Sequence, residues 1–381
     1  MSAGRLTAAV AAVVVACVLP SAAASADLQR AVGAYRFADG SVVALVEQDG
    51  ALRLVDYTSG ALRQRTERPR GLFVGGPGVS VPQPIAVRVA LVTGAGGRVA
   101  GLRRSGLTAT RIPLVTEDAT LQSGDVRLAA RLLRPAGRGP FPAVVIVPGS
   151  VPAQRDTYEL WALFFASRGF AVLTYDKRGV GASTGQYVRA ATDANLRDLA
   201  GDALAGVEWL RRRPDVNATR IGLSGGSQAG WVIALAASRS PHVRFAATQS
   251  GPAMSVGRQL AYSALTKNGL VAPTDEVIRA ALDGVPDSGY DPGPDLRSLT
   301  IPVLWQQGAA DKRMYTPETL ANLAAIGAGG THEFTVKVYP GGAHSLRLTE
   351  HGTIAEERTS PGFAPGVFQD LTAWLRRSLP R

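Results

Sequence analysis

The sequence predicts an α/β fold in which helices flank a mostly parallel sheet and a small antiparallel β module comes first. Three patterns predict it: a hairpin signal near the N-terminus, a continuous apolar run at residues 143–147, and alternation of strands and helices after Pro113. The 381 residues are enough for one large domain and a smaller one. With 46% hydrophobic and 19% charged residues, the composition excludes a disordered or fibrous chain.

The basic composition does not by itself indicate a nucleic-acid partner. The formal net charge is +11, and only four of the 41 Lys and Arg residues are lysines. These residues are spread along the chain, with the longest run at residues 211–213, which indicates a compositional bias rather than a binding footprint. Cys17 is the only cysteine, which excludes an intrachain disulfide and a thiolate metal site. We therefore expect no nucleic-acid partner and no thiolate-bound metal, and the chemistry inferred below requires neither a metal nor an organic cofactor.

Residues 1–26 have the pattern of a secretory signal peptide. Arg5 precedes an apolar stretch at residues 6–19, and a run of small residues then ends in Ala-Ser-Ala. The apolar stretch is short for a membrane span. We expect cleavage after Ala26 and a secreted, extracytoplasmic protein. An alternative stays open, because the four residues that end in Cys17 resemble a lipoprotein box and would leave the protein lipid-anchored to a membrane.

Residues 27–112 predict the β-rich module. Strand-like runs at residues 41–48 and 51–57 flank an Asp-Gly pair, which is a strong local signal for a hairpin. A second hairpin is predicted across the glycine-rich turn at residues 94–97. The module contains neither histidine nor cysteine, so we expect it to pack against the rest of the chain or to form the rim of a substrate site.

Residues 113–381 predict the larger, catalytic domain. Predicted strands lie at residues 143–147, 170–175, 220–225, 245–249, 302–307 and 334–339, and predicted helices at residues 158–167, 195–213, 228–238 and 367–378. The first of these strands is apolar throughout, as expected for a strand buried on both faces of a parallel sheet. Functional groups of such a sheet lie beyond the carboxyl ends of its strands. The residues just after each strand are therefore the candidates.

Two serines after the strand at 220–225 compete as a nucleophile. Ser224 fits the literal Gly-x-Ser-x-Gly pattern, whereas Ser227 has Gly225 two positions before it and Ala229 two positions after it. A serine nucleophile is projected by a tight turn from strand to helix, which needs small residues at those positions. Ser224 would lie inside the strand, and Ser227 comes at its end, directly before the helix. The position therefore predicts Ser227.

Asp311 is the predicted acid. The strand at 302–307 ends in a glycine turn that carries Asp311 away from the sheet. Such an Asp, taken alone, is more often a helix cap than a catalytic group. Its place in the chain after Ser227 favours the catalytic role, because one class of serine enzymes orders nucleophile, acid and base in this way.

His344 is the predicted base. It follows the last strand, at 334–339, on a turn rich in glycine that can bring an imidazole back over the sheet. His242 and His332 each precede a strand and are expected at the opposite edge of the sheet. His351 lies seven residues beyond His344 and is the reserve candidate.

Ser227, Asp311 and His344 in this order resemble the catalytic triad of the α/β-hydrolase superfamily, and more closely of its secreted esterase and serine-aminopeptidase-like branch. The resemblance extends from about residue 116 to the C-terminus. It implies an α/β-hydrolase sheet flanked by helices, with a lid insertion at about residues 251–298.

Two further motifs support the resemblance. Residues 141–150 resemble the family's strand leading into a His-Gly-Ser oxyanion loop, and residues 175–185 resemble its D-x-R-G-x-G-x-S loop. The chain departs from the family at three positions. Pro148 stands where the family usually has His, Val151 where Gly is common, and Ala229 where the second elbow glycine is usual.

The resemblance also implies the mechanism. His344 would accept the proton of Ser227 as the hydroxyl attacks an acyl carbonyl, and Asp311 would orient the imidazole. The oxyanion would be bound by backbone N–H groups, those of Gln228 and of Ser150 or Val151.

Three functions are compatible with these residues. The first is a serine hydrolase that cleaves carboxylic esters of a small-molecule acyl substrate. The second is a peptidase or another amide or thioester hydrolase, because the same machinery cleaves those bonds. The third is a non-catalytic protein that binds cell-surface polymers through the arginines of the β module.

Overall fold

The computed structural model describes residues 29–48, 51–68, 71–329 and 332–379. The predicted signal peptide, Cys17 and the Asp-Gly turn at residues 49–50 lie outside these ranges. Within them, none of the helices combines the length and the apolar character that a membrane span requires.

The N-terminal module is a closed antiparallel barrel of eight strands. Its strands are β1 (Gly33–Arg36), β2 (Val42–Gln48), β3 (Ala51–Asp56), β4 (Leu62–Arg68), β5 (Leu72–Gly75), β6 (Val87–Thr93), β7 (Val99–Arg104) and β8 (Leu107–Arg111). Each strand pairs with the next, and β1 pairs with β8 through Tyr35 and Arg111, which closes the barrel. Closure leaves no free sheet edge. The sequence predicted an antiparallel module but not its closure.

The second sheet has eight strands in the order β16-β15-β14-β13-β11-β12-β10-β9. They are β9 (Leu114–Ser123), β10 (Val126–Pro135), β11 (Phe141–Val147), β12 (Ala171–Tyr175), β13 (Val216–Gly226), β14 (Phe245–Gln249), β15 (Val303–Gly308) and β16 (Phe334–Tyr339). The six strands from β11 onward are parallel, and the hairpin of β9 and β10 joins them antiparallel through β12. That hairpin was not predicted from the sequence, because β9 is rich in polar residues and half-exposed.

Nine α-helices of the described residues accompany this sheet. They are α1 (Glu159–Ala166), α2 (Asp193–Arg211), α3 (Ala229–Arg239), α4 (Val256–Leu265), α5 (Asp275–Leu282), α6 (Gly293–Ser298), α7 (Thr316–Gly327), α8 (Ile354–Thr359) and α9 (Val367–Ser378). Those predicted from the sequence begin and end within a few residues of the predicted bounds. The helices α4 to α8 were not predicted, since they are short or lie in segments without clear periodicity.

The sheet is buried on both faces, and alternate residues of β11 show it. Val145 and Val147 pack with α2 and α3 on one face. Val144 and Ile146 pack on the other face with α1, α9 and the outer surface of the barrel. This explains the continuous apolar run in the sequence, since a strand covered on both sides needs apolar residues at every position.

Strand β2 of the barrel takes part in two cores. Its side chains alternate, so that Val43 and Leu45 point into the barrel interior. Val42, Ala44 and Val46 belong to the core between the barrel and the parallel sheet. The barrel is thus packed directly onto the larger domain.

Candidate active site

Ser227 lies on the sharp turn between β13, which ends at Gly226, and α3, which begins at Ala229. Its φ is +61°, in the left-handed region that a residue other than glycine adopts only under local constraint. Ser224 is an ordinary member of β13, where it is buried and paired with Ile146. The strained position at the strand end is thus that of Ser227, as expected for a nucleophile on a strand-to-helix turn.

The turn depends on small residues where strand and helix pass each other. A Cβ added at Gly225 would lie 2.7 Å from the Cβ of Ala229 and would also overlap the carbonyl oxygen of Val147. A Cβ at Gly230 would lie 2.7 Å from the Cα of Gly251. Since Gly225 supplies the free space, Ala229 fits where the family has glycine.

Asp311 is fixed on the loop that follows β15. Its Oδ1 accepts hydrogen bonds from the backbone N–H groups of Arg313 (2.7 Å) and Met314 (2.9 Å). Its Oδ2 lies 2.9 Å from Nδ1 of His344, and the carboxylate side chain is fully buried. The carboxylate therefore has one fixed orientation, with one oxygen left for the imidazole.

His344 lies on the turn after β16, and its side chain is only 10% exposed. With Nδ1 donating to Asp311, Nε2 is the ring atom that can accept a proton. His344 and Ser227 both line one cavity of about 270 Å³. The structure therefore brings the three predicted residues to one edge of the sheet, two of them in direct contact and the third across the same cavity.

The other histidines lie elsewhere. His332 contacts the carbonyl of Leu299, and His242 lies 3.8 Å from Glu208. His351 is exposed and bonds to Glu356, which raises the pKa of that imidazole. Glu350, His351 and Glu356 bring three possible metal-ligand atoms within 4.8 Å of one another at this exposed position.

Comparison with known proteins gives relatives over part of the chain. The sequence model of the X-Pro dipeptidyl-peptidase family S15 matches residues 123–290. The esterase FrsA of Citrobacter koseri is 37% identical over 87 residues, which are 23% of this chain and 21% of that protein. The esterase EstD of Thermotoga maritima is 31% identical over 133 residues, which are 32% of this chain and 31% of that protein. The chain thus matches between a fifth and a third of the length of these curated relatives.

Solved structures match a larger part. An acylaminoacyl peptidase of Pyrococcus horikoshii superposes with a TM-score of 0.51 at 15% identity, over 89% of this chain and 56% of that one. An esterase of Pyrococcus furiosus superposes with a TM-score of 0.50 at 18% identity, over 70% of this chain and 92% of that one. These relatives and structures share one fold. The chain belongs to the α/β-hydrolase superfamily.

The cavity of this α/β-hydrolase is lined from several elements. Apolar side chains, those of Ile146, Leu160, Trp161 and Phe363, form part of its wall. The barrel contributes Gln48, whose amide oxygen accepts a hydrogen bond from Arg53. The predicted lid segment contacts the acid loop, because the hydroxyl of Tyr262 donates to the carbonyl oxygen of Asp311 at 2.7 Å. The segment at 251–298 thereby supports the acid loop.

The predicted oxyanion loop, at residues 149–151, lines the cavity beside Ser227. The backbone N–H of Gly149 donates to the hydroxyl of Tyr158 at 2.9 Å. The carbonyl of Ser150 accepts from the hydroxyl of Tyr187 at 2.6 Å. Gln228 is the N-cap residue of α3, and its backbone N–H has no partner within the helix. These contacts hold the loop and the helix start beside the nucleophile.

Lys177 connects the two halves of this predicted oxyanion site. Its buried Nζ donates to the carbonyl of Gly149 at 2.7 Å and to Oε1 of Gln228 at 3.1 Å. Burial lowers the pKa of Lys177 to about 8, and the charge of Asp202 opposes that shift. Sequence analysis did not identify this lysine, although it lies in the motif at residues 175–185.

The rest of that motif is structural. Asp176 accepts hydrogen bonds from the backbone N–H groups of Arg155 at 2.7 Å and Ala182 at 2.9 Å. Arg178 binds the buried carboxylate of Asp202 through two hydrogen bonds of 2.8 and 2.7 Å. These hydrogen bonds fix the loop that contains the motif. Lys177 is the residue of this motif that contacts the predicted oxyanion site.

Proposed function

We propose that this α/β-hydrolase is a serine hydrolase that cleaves carboxylic esters through Ser227, His344 and Asp311. The observation that carries the proposal is geometric. Ser227 is held at a positive φ on the strand-to-helix turn, and it faces the same cavity as an imidazole that is oriented by a buried carboxylate. The esterase and peptidase relatives support the same class of chemistry.

In the proposed mechanism, Oγ of Ser227 attacks the acyl carbonyl while Nε2 of His344 accepts the hydroxyl proton. Asp311 stabilises the resulting imidazolium. The oxyanion accepts hydrogen bonds from the N–H of Gln228 and from that of Ser150 or Val151, each worth roughly 3 kcal/mol of the barrier. His344 then gives the proton to the leaving alcohol, and water releases the acid from the acyl-enzyme by the same steps.

The size of the cavity favours a compact ester. Its volume of about 270 Å³ lies just below the range of roughly 300–1,000 Å³ that is usual for pockets of drug-sized ligands. Its apolar wall suits a short acyl or alcohol chain. The proposed substrates are therefore small esters rather than long-chain lipids.

Peptide or other amide hydrolysis is the second candidate, and the match to the X-Pro dipeptidyl-peptidase family favours it. The charges of the cavity favour the ester. Arg313 and Arg347 both line it, and like charges would disfavour the α-ammonium group of a peptide substrate. A non-catalytic polymer-binding role has less support, since the barrel is packed onto the hydrolase sheet.

Three further features belong to this proposal. Residues 1–26 would be removed on export, or the chain would be acylated at Cys17 instead. Residues 251–298 would form the lid insertion, with Tyr262 linking it to the acid loop. N-terminal sequencing of the exported protein tests the first feature, because a start at Asp27 supports secretion and a lipid-modified Cys17 contradicts it.

The central test uses p-nitrophenyl esters and aminoacyl anilides with the wild type, Ser227→Ala and Ser224→Ala. We expect Ser227→Ala to lower kcat for esters by at least about 10³-fold, because the nucleophile is lost. Ser224→Ala is the matched control, and it should keep most of the activity. Loss of activity in the Ser224 variant alone would contradict the assignment of the nucleophile. Anilide turnover well above ester turnover would favour the peptidase.

A further inference from the structure

Two arginines, Arg313 and Arg347, line the cavity beside Ser227. The other described residues that line it, His344 apart, have uncharged side chains. A substrate bound there would meet a positive field in a partly enclosed space, where charges interact more strongly than in water.

Arg313 is placed by the catalytic machinery itself. It follows Asp311 by two residues, and its backbone N–H donates to Oδ1 of that carboxylate at 2.7 Å. Its carbonyl oxygen accepts from Nε2 of Gln259, also at 2.7 Å. The stem of Arg313 crosses Gly269, where an added Cβ would lie 2.7 Å from the arginine Cγ. The backbone of Arg313 is thus fixed on the acid loop, and the stem of its side chain lies against Gly269.

The Nε of Arg313 is buried and has no hydrogen-bond partner among the described residues. A buried donor without a partner is costly, and no hydrogen bond at Nε restrains this guanidinium group. The planar fork of arginine donates two parallel hydrogen bonds to a carboxylate, which an ammonium group cannot do.

Arg347 is the second group of the pair. It follows His344 by three residues, and its carbonyl oxygen accepts from the backbone N–H of Ala343 at 2.8 Å. Its Nη1 donates to the carbonyl of Glu357 at 3.3 Å. This arginine is therefore already engaged with the protein, and it adds charge to the cavity while Arg313 offers the more available donors.

We propose that the enzyme acts on small esters that carry a carboxylate, and that Arg313, assisted by Arg347, binds this carboxylate. The inference rests on the proposed ester hydrolysis and specifies its substrate class. Because the cavity is small, the carboxylate and the scissile ester lie close together on one compact molecule. Arg313 is a specificity-determining residue in this proposal and takes no part in bond making.

The test compares two pairs of esters that differ in charge and little in size. The first pair is monoethyl glutarate and the analogue in which an acetyl group replaces the free carboxylate. The second pair is acetoxyacetate and acetoxyacetone, which place the charge on the alcohol side. Acid release in a pH-stat gives kcat/KM for each. We expect the charged ester to be preferred by about tenfold or more in at least one pair.

Variants assign the preference to Arg313. Arg313→Gln should lower the ratio of charged to neutral kcat/KM by about tenfold. Arg313→Lys keeps the charge and most of the stem but loses the fork, so it should lose part of the ratio. Arg138→Gln removes the same charge from an exposed loop and should keep the wild-type ratio and activity.

Each failure has a distinct signature. A wild-type ratio near one in both pairs, with hydrolysis still dependent on Ser227, overturns the carboxylate proposal and leaves the ester hydrolase intact. A clear wild-type preference that both Arg313 variants retain overturns the assignment to Arg313. Hydrolysis of none of the esters above the rate of Ser227→Ala overturns the proposed function together with this inference.

Discussion

Lys177 is a buried cation whose two acceptors come from different parts of the chain, the loop at Gly149 and the side chain of Gln228. An ammonium group in this position is desolvated, and its charge is retained at the expense of stability. The same contacts fix the oxyanion loop against the start of α3. At the scale of one residue, therefore, a cost in stability accompanies the positioning of the proposed catalytic donors.

This cost predicts a specific dependence of stability on pH. The folded protein releases the Lys177 proton at about pH 8, whereas the unfolded chain holds it up to about 10.5. Between these values the unfolded state binds more protons, so the free energy of unfolding contributed by this group rises with pH. Lys177→Met should lack that rise, which for the full shift is on the order of 3 kcal/mol.

Urea unfolding of the wild type and of Lys177→Met at about pH 7 and about pH 10 measures the effect. The difference between the two proteins cancels the titration of groups that both retain. The stability of the wild type relative to the variant should increase from the lower to the higher pH. A constant difference would show that the lysine titrates normally in the folded protein.

At the scale of elements, the strand-to-helix turn tolerates no side chain at Gly225, whereas a glycine inside α2 should tolerate one. An added Cβ at Gly225 would overlap Val147 and Ala229, and at Gly201 it would find only Ser123 Oγ at 3.7 Å. Gly225→Ala should therefore destabilise the fold by roughly 1–3 kcal/mol and lower the proposed esterase activity. Gly201→Ala should stabilise it by roughly 0.5–1 kcal/mol.

Thermal unfolding and esterase rates of these two variants check the prediction. Both exchange Gly for Ala, so the chemical change is matched and only the surroundings differ. Similar melting temperatures for the two variants would contradict the close passage of β13 and α3.

The elements that the sequence predicts best are those with a local cause. A strand buried on both faces, such as β11, is apolar at every position, and the turn signals place its ends. Closure of the barrel has no such signal, because Tyr35 pairs with Arg111 far along the chain. The hairpin of β9 and β10 was missed because its outer strand is half-exposed and polar.

The same distinction applies to the site. Ser227 could be chosen over Ser224 from its place at the end of a strand, and chain order pointed to Asp311 and His344. The contribution of Lys177 depends on burial and on two distant acceptors, which no local pattern reveals. Arg313 and Arg347 were likewise hidden among many arginines, and only the folded chain shows which two face the cavity.

At the scale of the whole molecule, the barrel and the hydrolase sheet share a core through β2. Leu45 is fully buried inside the barrel, and its neighbours Ala44 and Val46 pack toward the sheet. We expect the two parts to unfold together. Leu45→Ala should lower the stability of the entire chain by roughly 2–5 kcal/mol, and not that of the barrel alone.

Tryptophan fluorescence tests this directly, since all five tryptophans lie outside the barrel, in the hydrolase domain. The urea midpoint of the fluorescence change should fall in Leu45→Ala. Leu107→Ala, at a largely exposed position of the same barrel, is the control and should leave it unchanged. If the urea midpoint of the fluorescence change is the same in Leu45→Ala as in the wild type, the barrel unfolds independently of the hydrolase domain.

The double membership of β2 restricts how such a protein can evolve. The odd-numbered positions of β2 pack inside the barrel, and the even-numbered positions pack against the hydrolase sheet. A change in the backbone of β2 that improves packing in one core therefore also alters packing in the other. A descendant that discarded the barrel would bare a wide apolar area on its hydrolase half and would need a new cover for it. Divergence in the two halves is consequently coupled.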